Sequence, residues 1–300
     1  MLLHIGYHKT ATSWLQRHLL GNPDAGLIAP WSIRDVIDRL VRPHPLDWDA
    51  GAAAAFFAEG RDRAAAAGLA CTLSNEELAG NPHSGGFNNT IIAERLARIF
   101  PGAGVLIVIR RQPDLLRSTY AQYVTRGGVL RPQRYFTPDP EAFRVPGFRP
   151  EHYEFDRLIG LYHRHFGADQ VRVLPYEAML EDREAFVRQV AEFAGGRDPG
   201  PLPADRVRPS ASALTVAVQR PLNRWLLRDD VNPAAPLRLR RLNQRLRGLD
   251  RLVPGAIRRR WDQRLRARVE AFTRGRYAES NRRTAELTGL PLDRYGYEVA

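Results

Sequence analysis

The sequence is poor in three features that commonly explain function or location. It has one cysteine, Cys71, so an internal disulfide is excluded, and the strand-like stretch "GLACTLS" predicts that this thiol is a small buried side chain. No apolar run approaches the roughly 18 residues needed to cross a bilayer. The N-terminal "MLLHIG" is too short for the apolar segment of a signal peptide. We therefore expect a cytoplasmic protein.

Lysine is also scarce. The chain has 45 basic residues, and only Lys9 among them is a lysine. A lysine ammonium is a compact point charge, whereas an arginine guanidinium is a planar fork. A site that requires an ammonium against one oxygen does not accept arginine, so Lys9 is a candidate functional residue.

Composition otherwise indicates a globular protein with an excess of positive charge. Hydrophobic residues make up 44% of the 300 residues, charged residues 26%, and the formal net charge is +12. A chain of this length can bury a sizeable core. The charge predicts an anionic ligand, polymer or surface among the partners.

The order of apolar patterns predicts alternating strands and helices. Gly104–Ile109, "GVLIVI", is a continuous β-branched run typical of a central parallel strand. The pattern predicts an α/β fold, a three-layer sandwich with a central, mostly parallel sheet. We predict strands over 2–6, 69–74, 104–109 and 170–177, and helices over 10–21, 89–100, 113–124, 151–166 and 183–195.

Two composition changes divide the chain. Residues 127–150 are rich in Gly, Pro, Arg and aromatics, which predicts a long loop or lid. A Pro- and Gly-rich linker begins at residue 195, and the sequence beyond it is helical and basic, with 12 arginines between residues 237 and 268. We expect an α/β core over 1–200 and a helical, Arg-rich part over 201–300 packed on the same domain.

The segment "GYHKTATS" joins the first predicted strand to the first helix. Backbone N–H groups from Lys9 to Ser13 lie at the carboxyl end of a strand, where phosphate or sulfate groups bind in parallel α/β sheets. A capped helix with an exposed lysine explains the same residues. The spacing does not fit the G-x-x-x-x-G-K-[ST] loop of nucleotide triphosphatases, because only two residues separate Gly6 from Lys9.

A second motif follows the central strand. Arg110 lies at its carboxyl end, and Ser118 follows eight residues later inside the next helix. If the turn folds back through Pro113, both side chains face one group beside the first motif, and a guanidinium suits bidentate binding of phosphate. An ordinary strand-end charge and a surface serine are the alternative.

Strand-G-x-x-K-T-x-T-[ST] followed by strand-R-x-x-P-x-x-x-x-S resembles the bacterial sulfotransferases that use 3′-phosphoadenosine 5′-phosphosulfate (PAPS). "VRVLPYEAMLEDREAFVRQVAEFAG" and "YAESNRRTAELTGLPLDRYGY" are similar to the same family. The resemblance implies a P-loop-like turn and transfer of a sulfuryl group to an acceptor hydroxyl by in-line displacement, with PAPS as co-substrate and without a metal. It implies that the turn holds the sulfonate end through Lys9, Thr10, Ala11, Thr12 and Ser13, and that Lys9 stabilises the leaving group.

The resemblance also extends to the other end of the nucleotide. It implies that Arg110 and Ser118 hold the 3′-phosphate, and "RVRPSAS" adds Ser210 as a degenerate form of a later cofactor loop. Family members usually carry glycine at the position of Ala11, and we expect the methyl group to be tolerated if this residue keeps a helical φ.

The transfer needs a base within hydrogen-bond reach of the acceptor hydroxyl. Glu76 matches an S-x-E spacing from Ser74 that follows the same strand in bacterial relatives, and it is our first candidate. Acidic residues in the first turn of a helix are equally common there. The competing candidates are Glu77 and three histidines, namely His8, His44 and His83.

The acceptor class is open, and we expect a glycan, lipid or small metabolite to be selected by acceptor loops at 30–68 and 127–150. The alternative functions are a P-loop small-molecule kinase and a non-enzymatic protein that binds membranes or polyanions. Residues 237–249 predict a basic helix with a leucine stripe, which can contact an anionic membrane or simply pack on the domain. No nucleic-acid-binding module is recognised, so no nucleic-acid partner is expected.

Overall fold

The computed structural model describes residues 1–137, 146–203, 211–239, 246 and 253–300. Its centre is a five-stranded, entirely parallel sheet in the order β2-β3-β1-β4-β5. The predicted α/β fold with a central parallel sheet is therefore confirmed. The strands are β1 Leu2–His4, β2 Leu27–Ile28, β3 Ala70–Ser74, β4 Gly104–Ile109 and β5 Val171–Pro175.

Helices cover both faces of this sheet. Their bounds are α1 Thr12–His18, α2 Ile33–Val36, α3 Ala50–Ala66, α4 Asn89–Ile99, α5 Gln112–Thr125, α6 Pro132–Phe136, α7 Phe155–Phe166, α8 Tyr176–Glu181, α9 Arg183–Phe193, α10 Ala213–Leu226, α11 Gly255–Thr273 and α12 Ala278–Thr288.

Strand β4 shows why the sheet is buried on both sides. Successive side chains of a strand point to opposite faces. Val105, Ile107 and Ile109 enter one core, and Leu106 and Val108 enter the other. All six residues of β4 are buried, as the continuous β-branched run predicts.

The strand order creates a crevice between β1 and β4. The chain continues from β1 to β2 and β3 on one side of the sheet, and then crosses to β4 and β5 on the other. Connections that leave two neighbouring strands in opposite directions open a space at their carboxyl ends, which is where ligands bind in such sheets. The segments after His4 and Ile109 flank this space.

Several predicted segments differ from the structure. Within the expected loop at 127–150, Pro132–Phe136 is a short helix whose Tyr135 and Phe136 side chains are buried. The expected loop at 30–68 is wrong for most of its length, because Ile33–Val41 is a short α-turn followed by a π-turn and Ala50–Ala66 is a helix. Asp49 caps that helix by accepting a hydrogen bond from the N–H of Ala52. The predicted helix over 151–166 begins only at Phe155, after a 3₁₀ turn at Pro150–Tyr153.

The C-terminal helices pack on the α/β part. Helix α11 packs against α5 and α10, and α12 packs against α7. The start of the predicted 237–249 helix is not helical, since Arg238 pairs with Leu227 in an antiparallel bridge. Most of the remaining stretch lies outside the described residues. Among the helices that are described, none is long and apolar enough to cross a membrane.

Candidate functional site

The turn between β1 and α1 has an unusual backbone. Lys9 and Ala11 have φ angles of 70° and 67°, in the left-handed region that L-residues rarely adopt. The helical φ that tolerance of the Ala11 methyl group required is therefore absent, and this methyl group is strained where glycine would not be. The Arg110 guanidinium donates a hydrogen bond to the Lys9 carbonyl at 3.0 Å, which ties the turn to β4.

Gly6 allows the backbone of the turn to pack closely against the His4 ring. A Cβ at Gly6 would lie 2.7 Å from Nε2 of His4 and 3.2 Å from Oγ1 of Thr10. The ring of His4 is fully buried, and its Nδ1 lies 2.8 Å from Oγ of Ser74. Burial lowers the pKa of His4 to about 4, so the ring is neutral near pH 7.

The turn opens onto a cavity of about 670 Å³ at the carboxyl ends of β1 and β4. Among the described residues, six cationic side chains and only two carboxylates line it. An anion that enters this cavity meets an excess of positive charge. The cations are Lys9, Arg110, Arg117, Arg126, Arg183 and Arg266, and the carboxylates are Glu76 and Asp262.

The predicted turn residues do not all reach the cavity. Lys9, Ala11, Thr12 and Ser13 line it. The hydroxyl of Thr12 is buried and has no hydrogen-bond partner among the described residues. The Thr10 side chain, by contrast, is fully buried and donates its hydroxyl to the Tyr7 carbonyl, where it stabilises the turn from inside.

The second motif converges on the same cavity. Arg110 and Ser118 both line it, as the fold-back through Pro113 predicts. Ser118 is buried on α5, which starts one residue after Arg111. Ser210 lies outside the described residues, although Ala211 and Ser212 line the cavity just beyond it.

One wall of the cavity is apolar and aromatic. It is formed by Trp14, Tyr176, Met179 and Leu180. The Arg110 guanidinium lies 4.8 Å from the centre of the Tyr176 ring. A flat aromatic ligand group can stack on such a wall while its charged groups face the cations.

The acidic residues after β3 have different surroundings. Glu76 lines the cavity, whereas Glu77 binds His8, with Oε1 of Glu77 3.3 Å from Nε2 of the imidazole. The amide of Asn81 donates to both oxygens of Glu77. Burial raises the pKa of Glu77, but the hydrogen bonds and the charge of His8 outweigh it, and the pKa lies below its ordinary value.

The three candidate histidines also differ in their surroundings. His8 lines the cavity, and its Nδ1 is buried without a partner in the described part of the chain. His83 lies behind Glu77, with Nδ1 2.9 Å from the Tyr135 hydroxyl, and burial lowers its pKa to about 3. His44 is exposed and does not line the cavity.

Sequence reasoning missed several lining residues. Two of them could have been predicted, because Tyr176 directly follows β5 and Arg117 directly precedes Ser118. Arg266 comes from α11, and nothing in the sequence indicates that this helix closes the cavity. Among the described residues, no group of three or more His, Cys, Asp or Glu side chains is arranged to hold a metal ion.

Comparison with known proteins gives a likeness in structure but none in sequence family. The chain matches no protein-family model and no curated protein. Among solved structures, it is similar to a sulfotransferase from Alicyclobacillus acidocaldarius, with 19% sequence identity and a TM-score of 0.49. The match covers 69% of this chain and 86% of that one.

Proposed function

We propose that this chain is a PAPS-dependent sulfotransferase that moves a sulfuryl group to an acceptor hydroxyl. The observation that supports it best is the convergence of the two sequence motifs, Lys9 to Ser13 and Arg110 with Ser118, on one cationic cavity. The apolar wall beside Tyr176 suits the base of a nucleotide, and the surrounding cations suit its anionic groups.

Lys9 stabilises the leaving group in this proposal. The acceptor oxygen attacks sulfur as the bond from sulfur to the 5′-phosphate oxygen breaks, which leaves adenosine 3′,5′-bisphosphate and a sulfate ester. Negative charge grows on the departing oxygen, and an ammonium held there by the turn lowers the barrier. A single well-placed donor of this kind contributes about 10²–10³ in rate.

The other turn residues position the donor. The unpartnered hydroxyl of Thr12 and the side chain of Ser13 supply donors for the sulfonate end. Arg110 and Ser118 hold the 3′-phosphate, and Ser210 stays a prediction from sequence for the same group. Thr10 acts indirectly, by fixing the turn through its bond to the Tyr7 carbonyl.

The proton of the acceptor hydroxyl has two candidate acceptors, which both line the cavity beside Lys9. Glu76 is the first, as its spacing from Ser74 suggests. His8 is the second: when its ring is neutral, an ionised Glu77 accepts the N–H at Nε2, and the ring then keeps a lone pair at Nδ1. A carboxylate that fixes an imidazole in this way is a recurrent arrangement in general-base catalysis.

A transfer assay tests the function. Purified protein, [³⁵S]PAPS and a panel of glycan, lipid and small-molecule hydroxyl acceptors should yield labelled sulfate esters without added magnesium. Lys9→Ala should lower turnover by about 10²–10³. Retained turnover in this variant would refute the assigned role of Lys9. Magnesium-dependent transfer from ATP would favour the kinase alternative.

Three variants separate the two bases once an acceptor is known. If Glu76 is the base, Glu76→Gln lowers kcat by about 10²–10⁴ and Glu77→Gln has little effect. If His8 is the base, His8→Gln gives the large loss and Glu77→Gln a smaller one. The acid limb of the pH–rate profile provides a second readout, because carboxylates and imidazoles ordinarily titrate about two pH units apart.

The acceptor and the location stay expectations. A hydroxyl-bearing glycan, lipid or metabolite is compatible with the cavity, and we assign its selection to 30–68 and 127–150. The first of these segments is largely helical, and the second contains the short helix α6. None of the described residues of either segment lines the cavity, and residues 138–145 lie outside the described residues, so the assignment stays an expectation from sequence. We propose a cytoplasmic location, since a single cysteine fits a reducing compartment.

A further inference from the structure

Helix α10 exposes an apolar stripe to solvent. Val218, Leu222 and Trp225 are 48%, 37% and 63% exposed, and Pro221 between them is exposed as well. Their spacing of three and four residues places them on one side of the helix. The side packed on the domain is apolar only near the start of the helix, at Ala213 and Val216. Further along it is polar, where the buried amides of Gln219 and Asn223 donate to the Val124 carbonyl. The usual arrangement of a surface helix, with apolar residues inward, is thus partly reversed here.

The chain after α10 extends this stripe. The N–H of Leu237 donates to the carbonyl of Trp225, and the N–H of Leu239 donates to that of Leu226. Leu237 and Leu239 are 46% and 47% exposed. They lie two residues apart in extended backbone, so both side chains point to the same side. We call the six residues Val218, Pro221, Leu222, Trp225, Leu237 and Leu239 the α10 surface.

Exposed arginines surround the α10 surface. Arg224 and Arg228 are exposed near the end of the helix, and Arg238 is exposed between the two leucines. Asp230 is the exposed acid nearby. The following residues, 240–251, carry five arginines and one aspartate in the sequence, so the local positive charge continues along the chain.

We propose that the α10 surface docks onto an anionic lipid bilayer. A tryptophan ring and leucine side chains favour the boundary between headgroups and acyl chains, and arginines add attraction to anionic headgroups. Arginine stems can lie along apolar surface while their charged ends reach the headgroups. The pairing of apolar side chains with flanking positive charge is the pattern of peripheral membrane segments.

Charge argues against the two other ways of covering the α10 surface. Two copies that met through it would bring Arg224, Arg228 and Arg238 of each copy together, with only the exposed Asp230 of each copy to offset them. Residues 240–251 carry the same sign, so their own charge does not complement that of the surface. An anionic bilayer complements the charge of the α10 surface and that of residues 240–251.

Docking would also place the cavity near the membrane. Ser212 and Ala213, at the start of α10, line the cavity, and Trp225 lies twelve residues further along. At 1.5 Å per residue, Ala213 and Trp225 are about 18 Å apart along the helix. The docking proposal stands independently of the catalytic one, since it needs no bound nucleotide.

Vesicle co-sedimentation tests the proposal. The full-length protein should bind vesicles of phosphatidylglycerol and phosphatidylcholine at low salt, bind pure phosphatidylcholine weakly, and dissociate as salt rises. Leu222→Ser with Leu237→Ser should weaken binding by at least about tenfold. The matched control is Leu46→Ser with Leu287→Ser, two leucines that are 88% and 47% exposed elsewhere, and it should bind as the parent does.

Thermal melts of both double variants should match that of the parent, since all four leucines are exposed. Absence of binding to anionic vesicles at low salt overturns the proposal, as does equal loss of binding in both double variants. A parent dimer in light scattering that becomes monomeric only in the Leu222/Leu237 variant also overturns it, in favour of a second copy. The proposal is also overturned if residues 240–251 cover Trp225 in the free protein. Fluorescence quenching measures this, because a covered Trp225 is protected from the quencher.

Discussion

The backbone at Ala11 decides whether the turn is strained. Its φ of 67° puts a methyl group where an L-residue is disfavoured by about 1–2 kcal/mol. Sequence showed a turn of small residues beside a lone lysine, and it could not show this angle. The local conformation depends in part on the bond from Arg110 to the Lys9 carbonyl, which joins residues 101 positions apart.

We predict that Ala11→Gly stabilises the protein. Glycine removes the left-handed strain, but the greater conformational entropy of its unfolded chain costs about 0.5–1 kcal/mol, so the net gain is up to about 1.5 kcal/mol. Urea unfolding measures it. Ala52→Gly, inside helix α3, is the control and should destabilise. Destabilisation by Ala11→Gly would contradict the strained turn.

At the scale of elements, long apolar patterns were predictable and short or alanine-rich ones were not. The run at 104–109 matches β4 residue for residue, because a strand buried on both faces has a continuous β-branched sequence. Ala50–Ala66 was missed because alanine has high helix propensity but gives little apolar periodicity. The two-residue strand β2 has too few residues to form any pattern.

One buried amide pair joins two distant elements at the edge of the site. Nε2 of Gln112, at the start of α5, donates to Oδ1 of Asn281 on α12 at 2.6 Å. The amide of Asn281 also donates to the Glu298 carbonyl at 2.9 Å. Both amide side chains are buried, so neither can exchange its partner for water. This pair fixes the first turn of α5, two residues beyond Arg110.

Asn281→Ala should therefore destabilise the protein by about 2–4 kcal/mol, because the Gln112 amide and the Glu298 carbonyl lose buried partners. Denaturant unfolding at pH 7 measures this. Arg282→Ala, next to it and exposed, removes surface ion pairs only and should cost less than about 1 kcal/mol. A similar cost for both variants would mean that the amide pair does not link the helices.

At the scale of the whole molecule, the alternation of strands and helices was enough to predict the α/β sandwich. The full set of residues that line the cavity could not be predicted without the assembled fold. The motifs at Lys9 and Arg110 were visible because each follows a strand. Arg266 and the wall at Tyr176 and Met179 come from elements whose approach depends on packing. The order β3-β1-β4, which sets the crevice, is a property of the sheet and not of any one segment.

Buried histidines make the stability of the whole fold sensitive to acid. Burial lowers the pKa of His4 to about 4, and burial lowers those of His83 and His152 to about 3. The unfolded chain takes up protons at these sites near pH 6.5 and the folded chain does not, so stability falls as the pH drops below about 6.5. Protonation of His4 in the unfolded chain alone should lower the free energy of unfolding by about 2 kcal/mol at pH 5 and about 3 kcal/mol at pH 4.

Urea unfolding at pH 7 and pH 5 measures this loss, in a range where most carboxylates are still ionised. His44→Gln removes an exposed histidine and should leave the pH dependence unchanged. His4→Gln should reduce it even if the variant is less stable at pH 7. Equal unfolding free energies of the parent at the two pH values would contradict the burial of these rings in neutral form.

Calorimetry with adenosine 3′,5′-bisphosphate in magnesium-free buffer tests the central claim most directly, because the claim is that one cationic cavity holds the sulfuryl donor. The parent should bind at one site, and Arg110→Ala should bind roughly ten- to a hundredfold more weakly, since it loses charge-assisted hydrogen bonds to phosphate. Arg34→Ala, at an exposed arginine outside the cavity, should bind as the parent does. No binding by the parent, or binding unaffected by Arg110→Ala, would contradict the account.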